Sequence, residues 1–81
     1  MSMEHIKKGT VVRVTAGKEK NSIFIVVEDL NVDRVSIADG RHRKRSRPKL
    51  KNVKHLEAVG ALTEVPERDR LIWKSLSSFR G

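Results

Sequence analysis

The sequence predicts a mainly β fold, a small barrel of four to five short strands followed by one C-terminal α-helix. Over the first 60 positions, short runs of β-branched residues alternate with turn-forming residues, which is typical of strands. The apolar spacing then changes to a helical period. A chain of 81 residues is too short for a two-sheet sandwich, and closing one sheet into a barrel removes its exposed edges.

The first three strands are placed by their alternation. Residues 10–15 (TVVRVT) put Val12 and Val14 on one face. After a loop containing Gly17, residues 22–30 (SIFIVVEDL) form the most apolar run of the chain, and their β-branched content favours a strand. A short turn separates them from residues 34–38 (RVSIA), whose Val35 and Ile37 are expected to face inward.

The next strands are predicted from turn signals. Asp39-Gly40 is a strong two-residue hairpin signal, so a strand is expected at 41–44. Pro48 is expected to end its regular pairing. Residues 54–59 (KHLEAV) provide a last short strand.

The C-terminal tail carries a helical stripe. Its apolar residues are spaced by seven, four and three positions: Val65, Ile72, Leu76 and Phe79. Thr63 can cap the helix, and Pro66 is tolerated in a first turn. We expect the stripe to pack on the barrel, so that residues 1–60 and 61–81 form a single domain.

All of the net charge lies in residues 41–54 (RHRKRSRPKLKNVK), called the basic segment below. It holds eight of the 18 Lys and Arg residues and no acid, whereas cations and acids balance on either side of it. Such a one-sign cluster indicates a polyanionic partner, and nucleic acid is the first to consider. In an extended chain, Arg41, Arg43, Arg45 and Arg47 would point the same way. A solvated loop that aids solubility, a nuclear-targeting run and DNA binding remain alternatives.

The stretch from Lys8 to Val35 resembles a KOW motif, in which a strand, a loop around a glycine and a second strand belong to an SH3-like barrel. Gly17 matches the glycine of the motif, and Asn21 stands where the family often has a second glycine. The continuation, residues 35–41 and 47–56, is similar to the short bacterial KOW-domain RNA-binding proteins. These are related to archaeal and eukaryotic large-subunit ribosomal proteins of the fourteen-e type.

The resemblance implies a structured RNA as partner, with ribosomal RNA or the ribosome as the first candidates. With the charges, it predicts these RNA-contacting residues: Lys18, Lys20, Arg41, Arg43, Lys44, Arg45, Arg47, Lys49, Lys51 and Lys54. Glu19 is expected to weaken the field of Lys18 and Lys20. The alternative is a KOW protein-interaction module of the transcription or translation machinery, with the helix at 66–79 as its docking surface.

The sequence contains few features that indicate an enzyme, a metal site or a membrane protein. There is no cysteine, and His5, His42 and His55 lack metal-ligand spacing. We find no nucleophile–base pair and no phosphate-cradling glycine motif, so neither an enzyme nor a cofactor is expected. Only two Phe and one Trp are present; Phe24 and Phe79 are assigned to the core, and Trp73 is expected to cover the barrel. No run is long and apolar enough to span a bilayer, so no membrane contact is expected. A cytoplasmic location and a monomeric state are the default expectations.

Overall fold

The computed structural model describes residues 6–80, so that His5, residues 1–4 and residue 81 lie outside it. Five antiparallel strands form one sheet in the order β4-β3-β2-β1-β5, and two short helices follow it. The elements are β1 (Thr10–Val14), β2 (Ile23–Asn31), β3 (Arg34–Ala38), β4 (Lys49–Asn52), β5 (Leu56–Ala61), α1 (Asp69–Ser75) and α2 (Ser77–Arg80). The predicted mainly β fold with a C-terminal helix is confirmed.

The sheet is not closed into the predicted barrel by strand pairing. β4 and β5 are its two edges, and within the described residues they do not pair with each other. A single 3-10 turn, Val53–His55, joins them. Three residues of 3-10 helix advance only about 6 Å, so the two edges approach each other at this end. Because β3, β2 and β1 lie between these two edge strands in the sheet, the sheet must curl strongly to bring the edges together.

Both faces of the central strands are buried, which explains why their sequences are almost continuously apolar. One face of the curled sheet encloses a cluster to which β1, β2, β3 and β5 contribute: Val12, Val14, Phe24, Val26, Val35, Ile37 and Leu56. The other face of β1 and β2 packs against the C-terminal segment, in a second cluster made of Val11, Ile23, Ile25, Val65, Ile72 and Leu76. The sheet therefore has one core inside its curl and another beneath the helix.

The predicted strand at 41–44 is wrong. These residues form a loop, and β4 begins only at Lys49, directly after Pro48. The hairpin fails because the backbone N–H groups of Arg41, His42 and Arg43 all donate to the Asp39 side chain. They are therefore not available to pair with β3.

The predicted start of the helix is also wrong. α1 begins at Asp69, with Arg68 as its N-cap and no side-chain capping bond, so neither Thr63 nor Pro66 lies in a helix. The stripe nevertheless packs as one surface. Val65 is buried from an irregular segment, and Phe79 rests on Gly60, where an added Cβ would lie 2.3 Å from its ring. In the described part of the chain, no helix is long and apolar enough to cross a membrane.

Candidate functional site

The first part of the basic segment is folded around the carboxylate of Asp39. We call residues 39–48 the basic loop. Asp39 Oδ1 accepts hydrogen bonds from the backbone N–H groups of Arg41 (2.9 Å), His42 (2.8 Å) and Arg43 (2.8 Å). Asp39 Oδ2 lies 3.0 Å from His42 Nδ1. In return, the Arg43 carbonyl accepts from the N–H groups of Asp39 and Gly40, both at 3.0 Å. One buried acid thus fixes the backbone beneath a run of cations.

The surroundings of Asp39 favour its ionised form. Burial of the carboxyl acts to raise its pKa, but the hydrogen bonds from Arg43 and Arg41, with the contact to His42, outweigh that effect. The net result is a pKa below the ordinary value for aspartate. The carboxylate therefore remains charged, and its charge interacts with the N–H groups of the loop rather than with solvent.

A second carboxylate attaches the basic loop to the helix. Asp69 Oδ1, at the start of α1, accepts from the Arg45 N–H at 2.7 Å. Gly40 has φ +83°, and a Cβ there would lie 2.1 Å from the Asp69 carbonyl oxygen. Only glycine suits this contact, because both the conformation and the space exclude a side chain. These contacts attach the loop backbone to the start of α1.

The outward side chains of the basic loop surround one open depression. It is lined by five basic residues: Arg41, His42, Arg43, Lys44 and Arg47. All five are exposed, whereas Arg45 is half-buried and its Nε is buried without a hydrogen-bond partner among the described residues. The expected alternation of Arg41, Arg43, Arg45 and Arg47 along an extended chain is wrong, because the loop is folded back on itself and Arg45 turns toward the protein.

Two of the predicted contact residues, Lys49 and Lys51, share one acid within the protein. Glu19 Oε1 lies 2.6 Å from Lys49 Nζ and 3.9 Å from Lys51 Nζ, and all three side chains are partly buried. Glu19 therefore offsets the cations of β4 and joins that edge strand to the loop at 16–22. This differs from the expectation that Glu19 would act on Lys18 and Lys20.

The loop at 16–22 presents Lys18 and Lys20 to solvent. Gly17 has φ +93° and Asn21 has φ 77°, so asparagine adopts the left-handed conformation at the position where the motif often has glycine. The Lys20 N–H donates to the Gly17 carbonyl at 3.1 Å, which closes the turn. Lys54 is also exposed but lies in the 3-10 turn between β4 and β5, outside the basic loop.

The sequence did not predict the contacts of Trp73. The Arg80 guanidinium carbon lies 3.6 Å from the centre of the indole ring, and that of Arg41 lies 5.0 Å from it. The His42 ring meets the indole edge-on at 5.8 Å. Trp73 thus lies between the basic loop and the chain end rather than simply covering the sheet. The sequence contains only a weak signal for these contacts, since Arg80 can be interpreted there only as a favourable charge at a helix C-terminus.

Chemically, this surface offers cations and hydrogen-bond donors. Within residues 6–80, no group of three or more His, Asp or Glu side chains is placed to hold a metal ion. No protein-family model matches the chain, and no curated protein matches it. The functional assignment therefore rests on the residues and their geometry.

Proposed function

We propose that this protein binds structured RNA by contacting its phosphates with the exposed side chains of the basic loop. The observation that carries the proposal is the depression lined by five basic residues and no acid. The two acids that contact the backbone of this loop, Asp39 and Asp69, are engaged by its N–H groups. Arginine forks bind phosphate oxygens bidentately, and lysine adds a point charge, so this surface suits a polyanion.

Folded RNA fits the surface better than an unstructured strand. Binding to single strands relies on exposed aromatic side chains on which bases stack. Here Phe24 is buried, Phe79 is half-buried against Gly60, and Trp73 is in contact with Arg80 and Arg41. Cations on a loop whose backbone is held by Asp39 and Asp69 instead suit phosphates held at fixed spacing by RNA structure.

We further infer that the chain is a KOW-type protein with a ribosomal or ribosome-associated RNA as partner, acting in the cytoplasm. Three features of the fold support the KOW part of this proposal. The curled sheet has its two edge strands joined by a 3-10 turn, the loop at 16–22 turns at Gly17, and Asn21 adopts a glycine-like conformation. The rival interpretation, a protein-docking module, is weakened because the helical stripe it would use is packed on the sheet.

The test is a charge-removal variant with a matched control. Replacing Arg43, Lys44 and Arg47 with alanine removes three exposed cations that line the depression. The control replaces Lys7, Lys8 and Arg34, which are also exposed but lie outside the basic segment. Both variants lose the same formal charge, so a general electrostatic effect changes both equally.

We expect the first variant to bind a structured ribosomal RNA fragment much more weakly than the control does. Each lost phosphate contact should flatten the slope of log affinity against log salt by roughly 0.7 to 0.9. Circular dichroism checks that both variants remain folded. Equal affinity of the two variants would rule out the basic loop as the RNA-binding surface.

A further inference from the structure

A second depression adjoins the basic loop, where the start of β2 meets the C-terminal helices. Its walls include Ser22, Asp39, His42, Trp73 and Arg80. The Asp39 carboxylate is engaged by backbone N–H groups of the basic loop. His42 also lines the first depression, so the two depressions are neighbours that share this residue. The surface around the basic loop therefore extends to the last turn of the chain.

The guanidinium groups of Arg80 and Arg41 both lie over the Trp73 ring. Arg80 is held by its contact with the indole face and by donating from Nη2 to the Trp73 carbonyl at 2.9 Å. Arg41 approaches the same ring from the basic loop. Within residues 6–80 neither arginine forms an ion pair. Two like charges gathered at one ring repel each other, and a bound anion removes that repulsion.

We propose that Arg80, positioned by Trp73, binds a second phosphate of the RNA in the depression beside the basic loop. This proposal rests on the RNA-binding function argued above and extends it to a residue outside the basic segment. The guanidinium group has five N–H donors, and stacking on an aromatic face leaves its edge free for a phosphate. Trp73 is a positioning residue, because it holds the Arg80 guanidinium rather than contacting the RNA itself.

The competing explanation is a purely structural latch, in which Arg80 only fastens the chain end to the helix. The two explanations differ in whether the positive charge of Arg80 is needed. A latch needs the hydrogen bond to the Trp73 carbonyl, which a neutral donor can supply. A phosphate contact needs the positive charge, which glutamine lacks and lysine keeps.

The experiment compares Arg80→Gln, Arg80→Lys and Arg34→Ala with the unaltered protein, all as the full chain. RNA affinity is titrated with a structured ribosomal RNA fragment across a salt series, and unfolding is followed in parallel. Arg80→Gln should weaken binding roughly tenfold and flatten the salt slope by about 0.7 to 0.9. Arg80→Lys should keep the slope, and Arg34→Ala should bind like the unaltered protein. Trp73, the one tryptophan, should also change its fluorescence when RNA binds.

Two results would overturn the proposal that Arg80 contacts a phosphate of the RNA. If Arg80→Gln binds as tightly as Arg34→Ala, the chain end does not contact RNA, whether or not its thermal stability falls. If Arg80→Lys loses as much of the salt slope as Arg80→Gln, charge is not what Arg80 supplies. Either result leaves the basic loop as the RNA surface. Unimpaired binding after replacement of Arg43, Lys44 and Arg47 would instead contradict the proposed function itself.

Discussion

At the scale of single residues, Asp39 determines the shape of the surface that we propose binds RNA. Its carboxylate accepts three backbone N–H groups of the basic loop. Because its pKa in the folded protein lies below that of the unfolded chain, it stabilises the fold above the unfolded value. That contribution is lost as pH falls through the folded pKa, that is, below about pH 4.

We therefore expect Asp39→Asn to destabilise the protein at neutral pH and to make its stability less sensitive to acid. Asparagine keeps an oxygen acceptor but loses the charge, so we expect a cost of about 1 to 3 kcal/mol at pH 7. The difference from the unaltered protein should shrink toward pH 3. Urea unfolding between pH 7 and pH 3 measures this, with Asp29→Asn, an exposed carboxyl of β2, as control. An equal acid response of the two variants would contradict it.

Residue-level signals in the sequence were correct where the local chain decides the conformation. Asn21 stands where the KOW motif often has glycine, and it adopts the left-handed conformation that asparagine tolerates. Asp39-Gly40 was misassigned as a hairpin turn, because the same dipeptide also suits a loop closed by its own aspartate. Contact of Gly40 with the Asp69 backbone selects the loop, and no local pattern shows that contact.

At the scale of elements, the C-terminal segment completes the second core. Ile72 and Leu76 are fully buried against β1 and β2, whereas their neighbour Leu71 is nearly half exposed. The stripe predicted from spacing is correct as a set of buried residues and wrong as one helix from Thr63. Spacing identifies which residues face the core, but Val65 can reach it from an irregular segment, so spacing alone does not place the first turn.

We expect Ile72→Ala to cost about 2 to 5 kcal/mol, because it leaves a cavity between the helix and the sheet. Leu71→Ala, one residue earlier on α1, should cost far less and serves as the matched control.

Truncation after Gly60 removes the whole stripe, at about 1.5 to 3 kcal/mol for each buried side chain. A domain this small has a total stability of about 5 kcal/mol. The truncated chain should therefore be largely unfolded by circular dichroism, and a melting curve like that of the full chain would contradict the helix's place in the core.

At the scale of the whole molecule, the protein carries a net charge of +8, but its cations differ in whether they are exposed or paired with an acid of the same chain. Lys49 and Lys51 are engaged by Glu19, whereas Arg43, Lys44 and Arg47 are exposed on a loop fixed by Asp39 and Asp69. The sequence predicted where the charge lies but not which cations are free, because that depends on contacts between residues far apart in the chain.

The same fixed arrangement predicts a preference for folded RNA over a flexible strand. A structured ribosomal fragment presents phosphates at set spacing, whereas a poly-pyrimidine strand must lose conformational freedom to match the basic loop. The strand also releases fewer counterions for each contact, about 0.7 against about 0.9 for a duplex. At matched salt and matched length we expect tighter binding to the folded fragment. The Arg43, Lys44 and Arg47 triple variant should lose most of that preference, because it lacks the cations that match fixed phosphates. Equal or tighter binding to the single strand would mean that bases are contacted, with Trp73 as the aromatic platform closest to the basic loop.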